Sequence, residues 1–247
     1  MQLALKKSIK MYLDSFGIIA GFSIFALCSL ILIPLIASYI DLGSGFIRYS
    51  SLYLDINTVQ ATVFLFVGII SLLFMAFFMS SIITTVKLKE TLDHVGFTKV
   101  LHSFYSYVLR IFSLLVFLGI ATAGIGVLFT YLQLPNAALQ LIIFAIWLPF
   151  IFVPQIVILD DFSITKAIKD SFNFIVNNPK PTLFYFIVGF ALMLILAVIE
   201  VLLGHLFIWE HKLITIFLLS LGVLPFMLIF TTELYLSRYP LSHTKSV

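Results

Sequence analysis

Four long tracts of the chain contain no Asp, Glu, Lys or Arg: residues 16–40, 61–86, 182–199 and 213–232. A fifth tract, 111–159, is equally free of charge and is broken at Pro135 and Asn136. A helix needs about 20 apolar residues to cross the hydrocarbon layer, so the fifth tract holds two crossings. The pattern predicts six transmembrane helices over 16–40, 61–86, 104–132, 138–159, 182–203 and 213–236. The predicted fold class is all-α, one polytopic membrane domain over residues 1–247.

Three stretches between the apolar tracts are amphipathic instead. At 100° per residue, Leu5, Ile9, Tyr12 and Phe16 share an arc opposite Lys6, Lys7, Lys10 and Asp14. After span four, Ile164, Ile168 and Ile175 share a face, and Lys166, Lys169, Asp170 and Asn173 share the other. Ser163 is placed to cap this helix, and Pro179 and Pro181 stop it. After span two, Leu88, Leu92 and Val95 oppose Lys89, Glu90 and Asp93, and Gly96 ends the stretch. Each is expected to lie in the membrane interface, as an elbow that sets the entry of the next span or as a lipid-headgroup site. The candidate headgroup residues are Lys6, Lys10, Lys166 and Lys169.

The first and last of these segments match. Ala4, Leu5, Lys6 and Ser8 align with Ala167, Ile168, Lys169 and Ser171. Leu148, Pro149 and Phe150 of span four recur as Leu224, Pro225 and Phe226 of span six. The suggested unit is an interfacial helix followed by a transmembrane hairpin, used three times as parallel repeats. The run FVPQIVILDDFSITKAIKDSFNFIVNNP from Phe152 joins a span ending in an acid to Ser, Ala-Ile-Lys, a second Ser and Asn-Asn-Pro. It resembles uncharacterised six-pass proteins of archaea and bacteria related to the membrane domain found beside glycerophosphodiester phosphodiesterase. The resemblance implies a six-span fold and a membrane location. It carries over no catalytic residue, since the phosphodiesterase chemistry belongs to a separate soluble barrel.

Composition adds the scale of the effect. Hydrophobic residues make up 62% and charged residues 10%, against about 25% charged in soluble domains. No soluble catalytic domain fits beside six spans. The first apolar run is too long for a cleavable signal, so the N-terminus is expected to stay. Cys28 is the only cysteine and can form no intrachain disulfide. All the Lys and Arg residues except Arg48 and Lys212 fall on one side of a six-span layout. Cationic loops stay inside, so both termini are expected in the cytoplasm, with the chain in the cell membrane. The cations are dispersed in short loops, which argues against nucleic acid as a partner.

Motifs for chemistry are missing. His94 and His102 lie near Asp93, and His205 and His211 near Glu210, without zinc spacing. No nucleophile elbow or phosphate loop occurs. Asp160 and Asp161 are adjacent and diverge by about 100° on a helix, which suits capping of the next helix better than a shared site. No catalytic residue, metal ligand or cofactor is expected. The charges that fall within spans are Arg110, Glu200 and Glu233. An ionised group at a helix centre costs about 3 kcal/mol to insert, so Arg110 and Glu233, both on the inner half, are expected to pair inside the bundle. Glu200, near the outer end, has Lys212 or His205 within reach.

Pro34, Pro149, Pro154 and Pro225 stand within spans and can kink them. Gly119 and Ala123 form a small-xxx-small pair suited to close helix contact. The outer connection carries Phe46, Tyr49, Leu52, Tyr53 and Ile56, as an interfacial segment would, and Asn57 with Gln60 suits the start of span two. The leading functional expectation is a non-catalytic membrane protein that binds lipid, a partner protein or a second copy of itself. The alternative is a small-molecule transporter or permease built around Arg110, Glu200 and Glu233. The layout predicts that reporter fusions at Leu132 and Val247 report opposite sides of the membrane; the same side for both would refute six crossings.

Overall fold

The structure, a computed structural model, describes residues 2–42, 58–92, 95–133, 135–206 and 211–240. All regular elements among them are helical. Helix α1 (Gln2–Asp14) meets α2 (Phe16–Leu42) at a bend of 88°. Then come α3 (Thr58–Thr91), α4 (Phe97–Tyr131), α5 (Asn136–Trp147), α6 (Val153–Leu159), α7 (Ile164–Asn177) and α8 (Pro179–Leu206). The chain ends with α9 (His211–Leu218) and α10 (Leu224–Leu236). A 3-10 turn, Leu148–Phe150, joins α5 to α6, and a π-turn, Leu219–Val223, joins α9 to α10.

Five segments are long and apolar enough to cross a membrane: Leu65–Thr91, Phe97–Phe129, Ala137–Leu159, Pro179–His205 and Leu213–Leu236. The bent α1–α2 pair supplies a sixth, and α2 alone, at 1.5 Å per residue, is about 40 Å long. The chain is an all-α polytopic membrane protein. Five of the expected spans overlap these segments, and the first falls on α2.

The core sits at one end of the bundle. Residues 80–86 of α3, all of α6, and 229–236 of α10 are buried on every side. These three helix ends pack on one another, with α2 and α4 beside α3, α1 against α10 and α7 against α6. Phe22, Phe78, Phe152, Phe174 and Phe230 are its largest fully buried side chains. Leu183, Ile187, Phe190, Leu194 and Val198 of α8 are exposed instead. Exposed leucine and phenylalanine are stable there because lipid tails are as apolar as the side chains.

Both broken spans contain proline, and each takes a hydroxyl from a short helix. The ring of a proline removes the N–H that would reach the carbonyl four residues earlier. For Pro225 that carbonyl is Leu221, and the Tyr12 hydroxyl of α1 donates to it at 2.6 Å. In the other broken span, the Ser171 hydroxyl of α7 donates to the Pro149 carbonyl within the 3-10 turn. Unpaired backbone groups are costly in a membrane, so each short helix docks where a span has lost its regular ladder. The repeated Leu-Pro-Phe lies at both breaks; α3, without proline, is unbroken, and so is α2 through Pro34.

The aligned segments occupy matching environments. The buried residues of α1 are Ala4, Ser8 and Met11, and those of α7 are Ala167, Ser171 and Phe174. The helices also close alike, with Ser15 N–H on Met11 O at 3.0 Å and Asn178 N–H on Phe174 O at 2.8 Å. This corrects the expected face of α1. Ile9 and Phe16 are exposed, whereas Leu5 and Tyr12 of that arc are half-buried and pack on the core beside the buried line Ala4–Ser8–Met11; Ala4 and Ser8 are small enough to let α1 approach α10 closely. In α7 the three isoleucines flank the buried line and are half-buried, with Lys166, Lys169 and Asn173 exposed as expected.

Other expectations change too. The stretch after span two is not a separate helix, since Leu88 to Thr91 continue α3. Gly119 packs on α3, where Leu72 Cδ1 lies 3.7 Å from the position of an added Cβ, but Ala123 is exposed. Asp93, His94, the aromatic residues at 46–56, Asn57 and Glu210 lie outside the described residues.

Replacing Tyr12 by Phe leaves the Leu221 carbonyl without its donor. The expected loss is about 0.5–1 kcal/mol of unfolding free energy, read by denaturant unfolding in detergent with unchanged helix content. An unaltered midpoint would show that the hydroxyl does not carry the repair.

Candidate functional site

The charged groups at the buried end of the bundle form a chain of links between helices. Lys7 of α1 sits between two carboxylates, 2.6 Å from Glu90 of α3 and 3.0 Å from Glu233 of α10. The Glu233 side chain is 2% exposed and that of Lys7 42%. Lys7 lies about 60° from Ala4 and about 40° from Met11 by helix periodicity, so packing of α1 on α10 carries its ammonium to the carboxylate. Burial alone would lower the lysine pKa, but the hydrogen bonds and charges of Glu90 and Glu233 outweigh it and raise the value. While the carboxylates are ionised, the lysine's contribution is therefore fully present below its ordinary value of 10.5. It is lost as pH rises through the raised value, and the pair is also lost in acid as the carboxylates take up protons.

Lys89 continues the set, with its ammonium 3.0 Å from Ser15 Oγ and 3.7 Å from Asp14. Lys87 donates to the Ile158 carbonyl at the end of α6, where exposed carbonyls and the helix dipole favour a cation. Its ammonium also lies 3.3 Å from the Tyr107 hydroxyl. The Tyr235 hydroxyl donates to Asp160 at 2.6 Å, tying α10 to the end of α6.

Arg110 does not pair with Glu233. Its Nη1 donates to Asp161 at 2.7 Å, and both side chains are substantially exposed. Depth in the span suggested the wrong partner because it counted only charges within spans. Lys7 and Asp161 lie outside them and reach the sites through α1 and the α6–α7 turn. The aspartates do not cap α7 by sequence order either. Asp160 is the C-cap of α6, and Asp161 follows at φ 54°, the left-handed conformation common just past a helix end. Ser163 stands at the N-cap of α7 in extended conformation, without a side-chain capping bond.

Glu200 is half-buried on α8, and no ion pair joins it to another described side chain, His205 included; the Lys212 side chain lies outside the described residues. Arg110, Glu200 and Glu233 are thus not brought together in one site. Lys6, Lys10, Lys166 and Lys169 are all exposed, on the sides of α1 and α7 turned away from the bundle. The Lys166 ammonium stands 3.3 Å from the Phe162 ring centre. Among the described residues no three His, Cys, Asp or Glu side chains converge as a metal site would require.

The sequence reading missed Lys7, Glu90 and Tyr12 as linking residues. The signal available for Lys7 was its place beside the small-residue line. One further feature is a set of buried polar atoms without a hydrogen-bond partner among the described residues: Glu233 Oε1, Ser80 Oγ, Thr84 Oγ1 and Ser23 Oγ.

Lys7→Met leaves a buried carboxylate unpaired and is expected to cost about 3 kcal/mol. Adding Glu233→Gln to it should recover most of that loss in detergent unfolding, because the uncompensated charge is gone. Equal losses in the single and double variants would disprove the pairing as the source.

No family model matches the chain, and no curated protein or solved structure matches it.

Proposed function

We propose that the chain is a non-catalytic integral protein of the cell membrane, with both termini in the cytoplasm, that binds anionic lipid at its inner face. The observation that carries this reading is the pair of matched helices α1 and α7. Each has one side locked into the bundle and presents lysines on the other: Lys6 and Lys10, Lys166 and Lys169. Rigid cationic ridges beside a membrane attract anionic headgroups, at about 1 kcal/mol per lysine. The resemblance to the membrane domain beside glycerophosphodiester phosphodiesterase supports the membrane location in this reading. A protein partner or a second copy would use the same exposed ridges.

A second reading is a small-molecule transporter. It draws support from the unpartnered polar atoms of Glu233, Ser80 and Thr84 within the helix core, since intramembrane polar groups often mark substrate or proton paths. The ion pairing of Glu233 with Lys7 and the outward placement of Arg110 support a structural role for these charges.

Lys166→Gln with Lys169→Gln is the test. Reconstituted protein should lose preference for phosphatidylglycerol over phosphatidylcholine by about 1 kcal/mol per charge, with unfolding unchanged. Undiminished preference would leave α7 as an architectural elbow.

A further inference from the structure

We propose that a groove between the end of α7 and the first turns of α8 holds one anionic glycerophospholipid, its phosphate at Lys180 and an acyl chain along Leu183 and Phe186. The inference rests on the lipid-binding reading and gives it a site distinct from the lysines of α1 and α7. The groove has a volume of about 400 Å³, within the range of about 300–1,000 Å³ for small-molecule sites. Its lining is Ile175, Pro179, Lys180, Thr182, Leu183 and Phe186.

Lys180 is the one charge in that lining, and no acidic residue faces it there. No ion pair with another described side chain occupies it. The Thr182 hydroxyl is already engaged by the Asn178 carbonyl at 3.1 Å, so it offers its hydroxyl proton to no ligand. Beyond it the surface is hydrocarbon: Leu183 is 62% exposed, and the Phe186 ring lies 5.4 Å from that of Phe144 on α5. From Lys180 to Phe186 the helix rises about 9 Å.

A cation at one end and an apolar track leading into the span Pro179–His205 match the polarity of a phospholipid. A peptide would meet almost no hydrogen-bonding group along the track, and its buried backbone would go unpaired. A second groove, of about 300 Å³ beside Tyr12 and Gly222, has no charge in its lining, and its Tyr12 hydroxyl is held by Leu221. It therefore selects no headgroup.

The test is native mass spectrometry of the full chain in non-ionic detergent, titrated with dioleoyl phosphatidylglycerol or dioleoyl phosphatidylcholine. Lys180→Gln should weaken phosphatidylglycerol binding about fivefold, the equivalent of one headgroup charge, and leave phosphatidylcholine unchanged. Leu183→Trp, which fills the track, should weaken both lipids. If the Trp variant does not fold, the exposed Lys180 position decides alone. Wild-type preference for phosphatidylglycerol that survives in Lys180→Gln overturns the groove and leaves the lysine ridges standing. Absence of that preference in the wild type overturns both. A changed oligomeric mass in Leu183→Trp with lipid binding intact would assign the groove to a second copy, and also overturns the proposal.

Discussion

Backbone hydrogen bonding inside a hydrocarbon layer governs this architecture. A span that contains proline leaves a carbonyl without its donor, and no water is at hand to replace it. Three spans contain proline beyond their first turn, at Pro34, at Pro149 with Pro154 and at Pro225. The carbonyl that Pro225 orphans, Leu221, accepts from the Tyr12 hydroxyl of α1, and in the span of Pro149 the Ser171 hydroxyl of α7 donates to the Pro149 carbonyl within the 3-10 turn. The amphipathic helices are therefore more than interfacial floats. Ala4 with Ser8, and Ala167 with Ser171, let them approach the spans closely, and their outer faces are left free to carry lysine.

The docking of α1 has a topological consequence. It joins α1 to α10, so the bundle closes on itself around the buried ends of α3, α6 and α10. Lys7 then lies between Glu90 and Glu233. Tyr235 with Asp160, and Lys87 with the Ile158 carbonyl, link the same three helices. Polar links of this kind contribute modestly one by one in membranes, but they fix which helices are neighbours, which apolar packing alone specifies poorly. Away from this end, Ser29 bonds Ser71 across α2 and α3 and Trp147 donates to Thr122 across α5 and α4, and α8 packs on α9 and α10.

The matched surroundings of Ala4, Ser8 and Met11 and of Ala167, Ser171 and Phe174 give the repeat of sequence a physical meaning. The same spacing of small residues solves the same packing problem twice. The stretch between α3 and α4 does not form a third such helix. Its neighbour α3 has no proline break for one to repair, and α3 simply continues through Leu88 to Thr91.

The uncharged tracts of the chain determined the helical class, the number of apolar segments and their limits, because transfer of charge into hydrocarbon is costly enough to be read residue by residue. They also marked α7 and its exposed Lys166, Lys169 and Asn173. Only the tertiary structure decided the partners. Arg110 met Asp161 instead of Glu233, Glu233 met Lys7, and the fully buried line of α1 was Ala4–Ser8–Met11, with only Leu5 and Tyr12 of the oily arc packed beside it. Depth along a span is a local quantity set by composition. Pairing depends on which helices touch and how each is rotated, and a chain in which lipid and protein neighbours are equally apolar carries almost no local signal for rotation.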